Sequence, residues 1–169
     1  MRVATSAGAT AEGGFVVVAV ALKLINNLPA KELAGKIVLD TNNYMIRRDG
    51  HFRAVDSGEK TVYELRREHL PESKVVQAFM HIQAGRITTA GRPTGAPRRL
   101  ALPTASNFPE AIELVESLYD QLGFDTVDNS PLCQAWPSAP GQPAWFARQH
   151  QTRAELVANL ARGQPIVTA

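Results

Sequence analysis

A continuous run of apolar, mostly β-branched residues at positions 15–20 constrains the fold of this 169-residue chain more than any other feature. Such a run has no polar face, so a strand made from it is buried on both sides. Strands of a parallel sheet have this pattern, because helices cover both faces of the sheet. The run is too short to cross a bilayer, which takes about 20 residues, and Lys23 follows it closely. We therefore predict a buried strand in a soluble chain.

Further apolar runs predict four more strands, at residues 36–40, 74–79, 99–102 and 124–127. The clearest helix is predicted between residues 107 and 123, where apolar side chains recur at spacings of three and four. We expect Asn107 to cap its first turn, and Thr152 and Glu155 to form a capping box that opens a last helix. Shorter helices are expected within residues 23–36 and 61–70, whereas residues 47–60 and 83–97 are predicted to be loops. Strands that alternate with helices are typical of an α/β fold.

Composition argues against several classes of partner. The net charge is only +2, which favours neither a nucleic acid nor an anionic membrane. Cys133 is the single cysteine, so no internal disulfide forms, and no Cys/His cluster has zinc spacing. We expect a cytoplasmic protein with no metal site and no nucleic-acid or membrane partner.

Four segments, in this order, resemble the family of NADP oxidoreductases that depend on a deazaflavin coenzyme. Residues 16–23 (VVVAVALK) are similar to the family's fourth strand and the loop after it. Residues 33–44 (LAGKIVLDTNNY) are similar to its L-x-G-K-x-V-x-D-x-x-N block, and residues 74–79 (KVVQAF) to its next strand. Residues 122–128 (LGFDTVD), followed by Pro131 and Leu132, are similar to a later stretch.

The resemblance implies a Rossmann-type fold and hydride transfer between NADP(H) and a deazaflavin-type acceptor. Such transfer needs positioning of two cofactors rather than a protein nucleophile, so no catalytic side chain is predicted. The family binds NADP mainly through G-x-G-x-x-G in its first βαβ unit, and no three of the 12 glycines here have that spacing. A βαβ unit takes about 30 residues, and the segment that resembles strand four already begins near residue 15.

We therefore predict an incomplete Rossmann-type sheet, mostly parallel, that lacks the first βαβ unit. Residues 1–130 would form a partial NAD(P)-binding domain, and residues 131–169 a C-terminal extension whose short helix packs on it. In the usual strand order 3-2-1-4-5-6, residues 15–20 would then be an unpaired apolar edge. Such edges recruit other chains, so we expect self-association. The alternative function is a non-catalytic Rossmann remnant that acts as an oligomerisation or partner-binding module, and a third interpretation is a fragment of a longer protein.

By resemblance, Ala19, Val20, Ala21 and Leu22 pass the nucleotide after the first predicted strand. The family usually has A-V-P-L there, and Ala21 replaces the proline. The alternative is a strand end that contacts no ligand.

Asn42 and Asn43 follow the second predicted strand, where ligands of open α/β sheets bind. An asparagine amide has the donors and the acceptor to hold the nicotinamide carboxamide, and Asn43 matches the family's asparagine best. The alternative is that both residues only form a turn.

Phe79, Met80 and His81 end the third predicted strand. The family commonly has asparagine where this chain has Met80, and a thioether cannot replace the donors of an amide. His81 offers one donor and one acceptor in partial compensation. The alternative, which we favour, is that His81 is a hydrogen-bonded structural residue.

Two other groups of residues allow a binding and a structural interpretation. The basic residues between positions 74 and 99 either meet an anionic cofactor tail or pair with the acidic helix that follows. Trp136, Trp145 and Phe146 either stack on a flat ring or, as we favour, cover the core.

Overall fold

A single five-stranded sheet organises the protein, whose computed structural model describes residues 3–165. Its strands lie in the order β1-β2-β3-β4-β5, so sequence neighbours are also neighbours in space. Three of the four pairings are parallel and only β3 and β4 are antiparallel, which confirms the predicted α/β class and mostly parallel sheet. The strands are β1 (Phe15–Val18), β2 (Ile37–Asp40), β3 (Lys74–Gln77), β4 (Ala101–Ser106) and β5 (Asp125–Asp128).

Eight α-helices connect and cover these strands among the described residues. Three of them are long enough to form extended packing surfaces: α5 (Val62–His69), α6 (Pro109–Gln121) and α8 (Arg153–Ala161). The others span one or two turns: α1 (Ser6–Glu12), α2 (Ala30–Leu33), α3 (Ile46–Asp49), α4 (Arg53–Asp56) and α7 (Pro143–Phe146). None of the helices within residues 3–165 has the length and apolar character needed to cross a membrane.

The two faces of the sheet bury separate apolar clusters. On β2, Val38 belongs to a cluster with Tyr63 of α5 and Leu70, the C-cap residue of α5, which we call the α5-side cluster. The next residue, Leu39, belongs to a cluster with Val115 of α6, the α6-side cluster. Successive strand residues point to opposite faces, so the apolar residues Val38 and Leu39 are buried on opposite faces of the sheet.

Strand β1 is the exception to this double burial. It pairs only with β2, as expected for the predicted edge. Val18 is buried in the α5-side cluster, but Phe15 is 37% and Val17 49% exposed. The prediction that residues 15–20 are buried on both sides is therefore wrong, because α6 packs against β3, β4 and β5 and no β1 residue joins its cluster.

Several local predictions need correction. Residues 47–60, predicted to be a loop, include part of α3 and all of α4, and helix α1 was not predicted. Strand β4 extends to Ser106 rather than ending near residue 102. Asn107 does not cap α6: Phe108 is the N-cap residue, because the Asn107 side chain instead accepts a hydrogen bond from the Leu132 backbone at 3.0 Å.

The chain after residue 130 contributes to both the core and the sheet cover. Leu132 and Ala135 belong to the α5-side cluster. The capping box of Thr152 and Glu155 is confirmed, and α8 packs against β4 and β5. The basic residue Arg99 is buried in ion pairs with Asp120 and Asp125, which matches the structural interpretation for that position.

Candidate functional site

A cleft of about 1190 Å³ opens beyond the carboxyl ends of β2 and β3. Ligands of open α/β sheets bind at this edge. Asn42 and Asn43 follow β2, and Met80 follows β3, so three of the residues predicted from sequence line one cleft. The remaining wall comes from α3, α4, the start of α5 and the segment that contains Trp136 and Gln142.

A buried ion pair fixes the loop after β2. Arg66 of α5 is fully buried, and its Nε donates a hydrogen bond to Asp40 Oδ2 at 2.9 Å. The other carboxylate oxygen, Asp40 Oδ1, accepts from the backbone N–H of Asn42 at 3.1 Å. One carboxylate therefore joins the end of the strand, the helix α5 and the first turn of the loop.

This ion pair is costly to bury. Burial raises the pKa of Asp40 above its ordinary value of 3.8, and Arg66 only partly opposes this shift. The two terminal nitrogens of Arg66 also have no hydrogen-bond partner among the described residues. A buried pair of this kind fixes geometry rather than adding net stability.

The amides of Asn42 and Asn43 each have one atom engaged and one atom free. Asn42 Oδ1 accepts from Arg48 at 2.9 Å, and Asn43 Nδ2 donates to the Met80 carbonyl at 2.9 Å. Arg48 also contacts the Asn43 carbonyl. Asn42 Nδ2 and Asn43 Oδ1 are buried without a partner in the described part of the chain. Adjacent residues of the cleft wall thus hold an unused donor and an unused acceptor.

The side chains of Phe79, Met80 and His81, which follow β3, have different surroundings. Phe79 has a positive φ of 56°, which is uncommon for a residue with a side chain, and its ring packs edge-on against Tyr119 of α6. Met80 faces the α5-side cluster and lines the cleft. Neither Phe79 nor His81 lines the cleft.

His81 is fully buried. Its Nε2 lies 2.7 Å from the Ser138 carbonyl, and its ring lies edge-on to Trp145. Burial lowers the pKa of His81 from its ordinary 6.5 to about 4. At neutral pH it is therefore an uncharged link between β3 and the C-terminal segment.

Ala19, Val20, Ala21 and Leu22 follow β1 at the same edge of the sheet but do not line the cleft. Ala19 and Val20 are exposed, and Leu22 is fully buried. A hydrogen bond from Thr41 N to the Val18 carbonyl, at 3.2 Å, keeps the end of β1 beside the loop after β2. A role for these four residues in nucleotide binding stays a prediction.

Several residues of the cleft wall were missed by sequence reasoning. Tyr44, His51 and Asp56 lie in or next to the segment predicted as loop, and all three line the cleft. Trp136 also lines it, whereas Trp145 packs on the α5-side cluster. One available signal was the T-x-x-E pattern of Thr61 and Glu64, which forms a capping box and places the start of α5 in the wall.

Loss of one partner of the Asp40–Arg66 pair should destabilise the protein strongly. We expect Arg66→Met or Asp40→Asn alone to lower the free energy of unfolding by about 3–5 kcal/mol, because each leaves a buried group without its partner. The double variant should lose much less than the sum of the two single losses. Urea unfolding of the four proteins measures this, and additive losses below about 1 kcal/mol each would contradict it.

Buried His81 should make stability fall as the pH is lowered from about 6.5 to about 4. In that window the unfolded chain binds a proton at residue 81 and the folded protein does not, so acid favours unfolding. The contribution is complete above pH 6.5, and about 3 kcal/mol is lost by pH 4. Urea unfolding across this range should show a weaker pH dependence for His81→Gln than for the unchanged protein. Equal slopes would show that His81 titrates normally.

Comparisons with known proteins support the fold and give one functional likeness. No family model and no curated protein sequence matches the chain. Among solved structures, it is similar to a proposed F420-dependent NADP reductase from an Arthrobacter species (strain FB24), with 25% identity and a TM-score of 0.66. It is also similar to a hypothetical protein from Sinorhizobium meliloti, with 26% identity and a TM-score of 0.62.

The similarity covers most of this chain but a smaller share of those structures. It includes 78% of this chain and 61% of the Arthrobacter protein, and 81% of this chain and 66% of the Sinorhizobium protein. The chain thus spans less than two thirds of the length of either. Its fold is Rossmann-like, and its structural neighbours include a proposed NADP-dependent oxidoreductase.

Proposed function

We propose that this chain binds the nicotinamide end of NADP(H) and a deazaflavin-type acceptor, such as F420, in the cleft beyond β2 and β3. The observation that carries the proposal is the unpartnered donor of Asn42 and the unpartnered acceptor of Asn43, on adjacent residues that both line this cleft. A nicotinamide carboxamide presents the complementary carbonyl and NH₂ on one planar group, and buried polar atoms gain most from such a partner. The pyrimidine ring of a deazaflavin presents a similar pattern of carbonyls and N–H.

The rest of the cleft suits flat, partly apolar rings. Met45, Ile46, Met80 and Trp136 supply apolar and aromatic surface among its lining residues. Its volume of about 1190 Å³ exceeds the ~300–1,000 Å³ of usual small-molecule sites. That is room for two ring systems to lie against each other, as hydride transfer requires.

In the reaction we propose, no protein side chain forms a covalent bond with either cofactor. NADPH supplies the hydride, and the side chains hold the two rings in contact and limit water between them. The asparagines orient one ring through neutral hydrogen bonds, so their role does not vary with pH near neutrality. A reducing cytoplasm that maintains NADPH is the compartment this function implies.

The proposal covers the ring-binding half of a site and not the pyrophosphate half. No glycine fingerprint is present in the sequence, and the chain spans 61% of the Arthrobacter protein. This sequence therefore offers the diphosphate of NADPH no G-x-G-x-x-G turn of the kind that usually binds it. We expect a dissociation constant on the order of 1 mM for NADPH, which corresponds to a binding free energy of about −4 kcal/mol.

Titration with NADPH, followed by tryptophan fluorescence, tests this proposal, because Trp136 lies in the cleft wall. Asn43→Ala and Asn42→Ala should each weaken binding about fivefold, because each removes one hydrogen bond to the ligand. Asn27→Ala, at an exposed position outside the cleft, should bind as the unchanged protein does. No saturable change up to several times the expected constant would refute binding by this chain alone.

A second proposal concerns the exposed edge strand. The sheet ends at β1, and Phe15 and Val17 present apolar side chains on its uncovered face. Because such an edge pairs readily with another strand, we propose that the chain self-associates through β1. This is the feature that an oligomerisation module without catalysis would also use.

Sedimentation velocity over a wide concentration range measures this association. Val17→Lys should shift the population towards monomer, because a charged edge disfavours pairing. Val157→Lys is the matched control, since Val157 is similarly exposed (51% against 49%) but lies on α8. A monomer at all concentrations, or equal effects of the two variants, would contradict the proposal.

A further inference from the structure

Three titratable side chains form a hydrogen-bonded cluster in the wall of the cleft. Asp56 Oδ1 accepts from the Tyr44 hydroxyl at 2.6 Å, and Asp56 Oδ2 lies 2.9 Å from His51 Nδ1. All three residues line the same cleft as Asn42 and Asn43. The function proposed above assigns no role to this cluster.

The backbone around the cluster holds its members in place. Gly50 has φ of +78°, a conformation that glycine adopts without strain, and it turns the chain between α3 and α4. The Tyr44 hydroxyl accepts from the backbone N–H of Phe52 at 3.1 Å, and the two rings pack edge-on at 5.9 Å. Tyr44 therefore anchors Asp56, and Asp56 in turn orients His51.

The imidazole of His51 is oriented at one nitrogen and accessible at the other. Its Nδ1 faces Asp56, its side chain is 74% exposed, and Nε2 has no hydrogen-bond partner among the described residues. The hydrogen bonds from Tyr44, first, and from His51 lower the pKa of Asp56, so this carboxylate is ionised at neutral pH. An ionised carboxylate on Nδ1 leaves Nε2 as the atom that exchanges a proton with a ligand.

We propose that His51 is the acid–base residue of the cleft, donating a proton through Nε2 to the hydride acceptor, with Asp56 and Tyr44 as positioning residues. The inference rests on the proposed function and adds to it the source of the proton. Hydride transfer alone leaves the acceptor ring with an added electron pair and a negative charge. A side chain that delivers a proton there completes the reduction.

The bonds, electrons and protons of this step balance. The C4–H bond of the dihydronicotinamide breaks with its electron pair, a new C–H bond forms on the acceptor ring, and the nicotinamide is oxidised. The Nε2–H bond of the His51 imidazolium breaks, and an N–H bond forms on a ring nitrogen of the reduced acceptor. His51 is then neutral and takes a proton from water, so the overall reaction consumes NADPH, acceptor and one proton.

Other charged groups share this region and are mixed in sign. Arg47 comes from α3, and α4 and the residues that follow it add both cations and carboxylates to the lining near His51. The groups that line this part of the cleft are Arg47, Arg53, Glu59, Lys60 and Glu64. Neither sign of charge dominates among these groups. Asp56 is the charged group in direct contact with His51.

Chemical modification tests the position of His51 without any turnover. Diethyl pyrocarbonate reacts with exposed imidazole nitrogens, and peptide mass spectrometry separates the four histidines. F420 at ten times its dissociation constant should slow the modification of His51 about tenfold. Exposed His150 lies outside the cleft and should react at an unchanged rate. Equal rates at His51 with and without bound F420 would overturn the proposal.

Turnover of NADPH with F420 separates the chemical role from binding. His51→Ala should lower kcat about a hundredfold, as loss of a general acid does, while KM stays nearly constant. Added imidazole should restore part of the lost rate, which a merely structural role would not allow. Asp56→Asn should lower kcat less than His51→Ala does, and His150→Ala, the matched control, should leave kcat unchanged.

The two proposals fail in different ways. Normal turnover and no rescue effect in His51→Ala would overturn the role of His51 and leave the proposed function in place. If the unchanged chain binds F420 but does not turn it over, modification and ligand protection of His51 still decide whether His51 contacts the acceptor. If F420 and NADPH both fail to bind, the proposed function and the inference that rests on it are both wrong.

Discussion

The buried contact between Asp40 and Arg66 is the interaction on which the geometry of the cleft depends. Strand β2 ends at Asp40 in the middle of the sheet, where water is excluded, so the carboxylate needs a partner inside the protein. Arg66 supplies it from α5 at 2.9 Å. The second carboxylate oxygen then holds the Asn42 N–H, and the loop leaves the strand in one direction. Asn42 and Asn43, which carry the unpartnered amide atoms, line the cleft after this turn.

The same contact links the cleft to the core. Tyr63 of α5 and the C-cap residue Leu70 pack into the α5-side cluster, and the Tyr63 hydroxyl donates to the Asn42 carbonyl at 3.1 Å. Asn43 in turn binds the Met80 carbonyl, which ties the loop after β2 to the loop after β3. The loops that form the cleft are thus fixed by α5 and by each other, and a ligand would meet a largely preformed wall.

Residue patterns predicted the parts of this structure that local physics determines. Apolar runs located all five strands, because each strand buries residues of at least one face in the core. The position of Asn42 and Asn43 beyond a strand end predicted that they would lie at the ligand-binding edge. The hydrogen bond from Asn43 to the Met80 carbonyl could not be read from sequence, since it joins residues 37 positions apart.

The other misses have a similar cause. Asn107 was assigned to a helix cap, but its side chain binds Leu132, which is 25 residues away. Residues 131–150 lack periodicity, yet Ala135 is buried in the core and Trp136 lines the cleft. Tyr44, His51 and Asp56 come together through hydrogen bonds between residues 12 and 5 positions apart, which the polar, turn-rich composition of this segment does not predict. One face of β1 is exposed because α6 packs against β3, β4 and β5. The apolar run at residues 15–20 does not predict how many strands that helix covers.

The side-chain NH₂ signals of Asn42 and Asn43 in a ¹H–¹⁵N NMR spectrum, followed during a titration with NADPH, test the central claim most directly. The account predicts that these two signals shift together and saturate together, because their free atoms bind the same planar group. The side-chain signals of Asn26 and Asn27, exposed and outside the cleft, should stay in place. Saturable shifts elsewhere in the protein, with the signals of Asn42 and Asn43 unchanged, would contradict it.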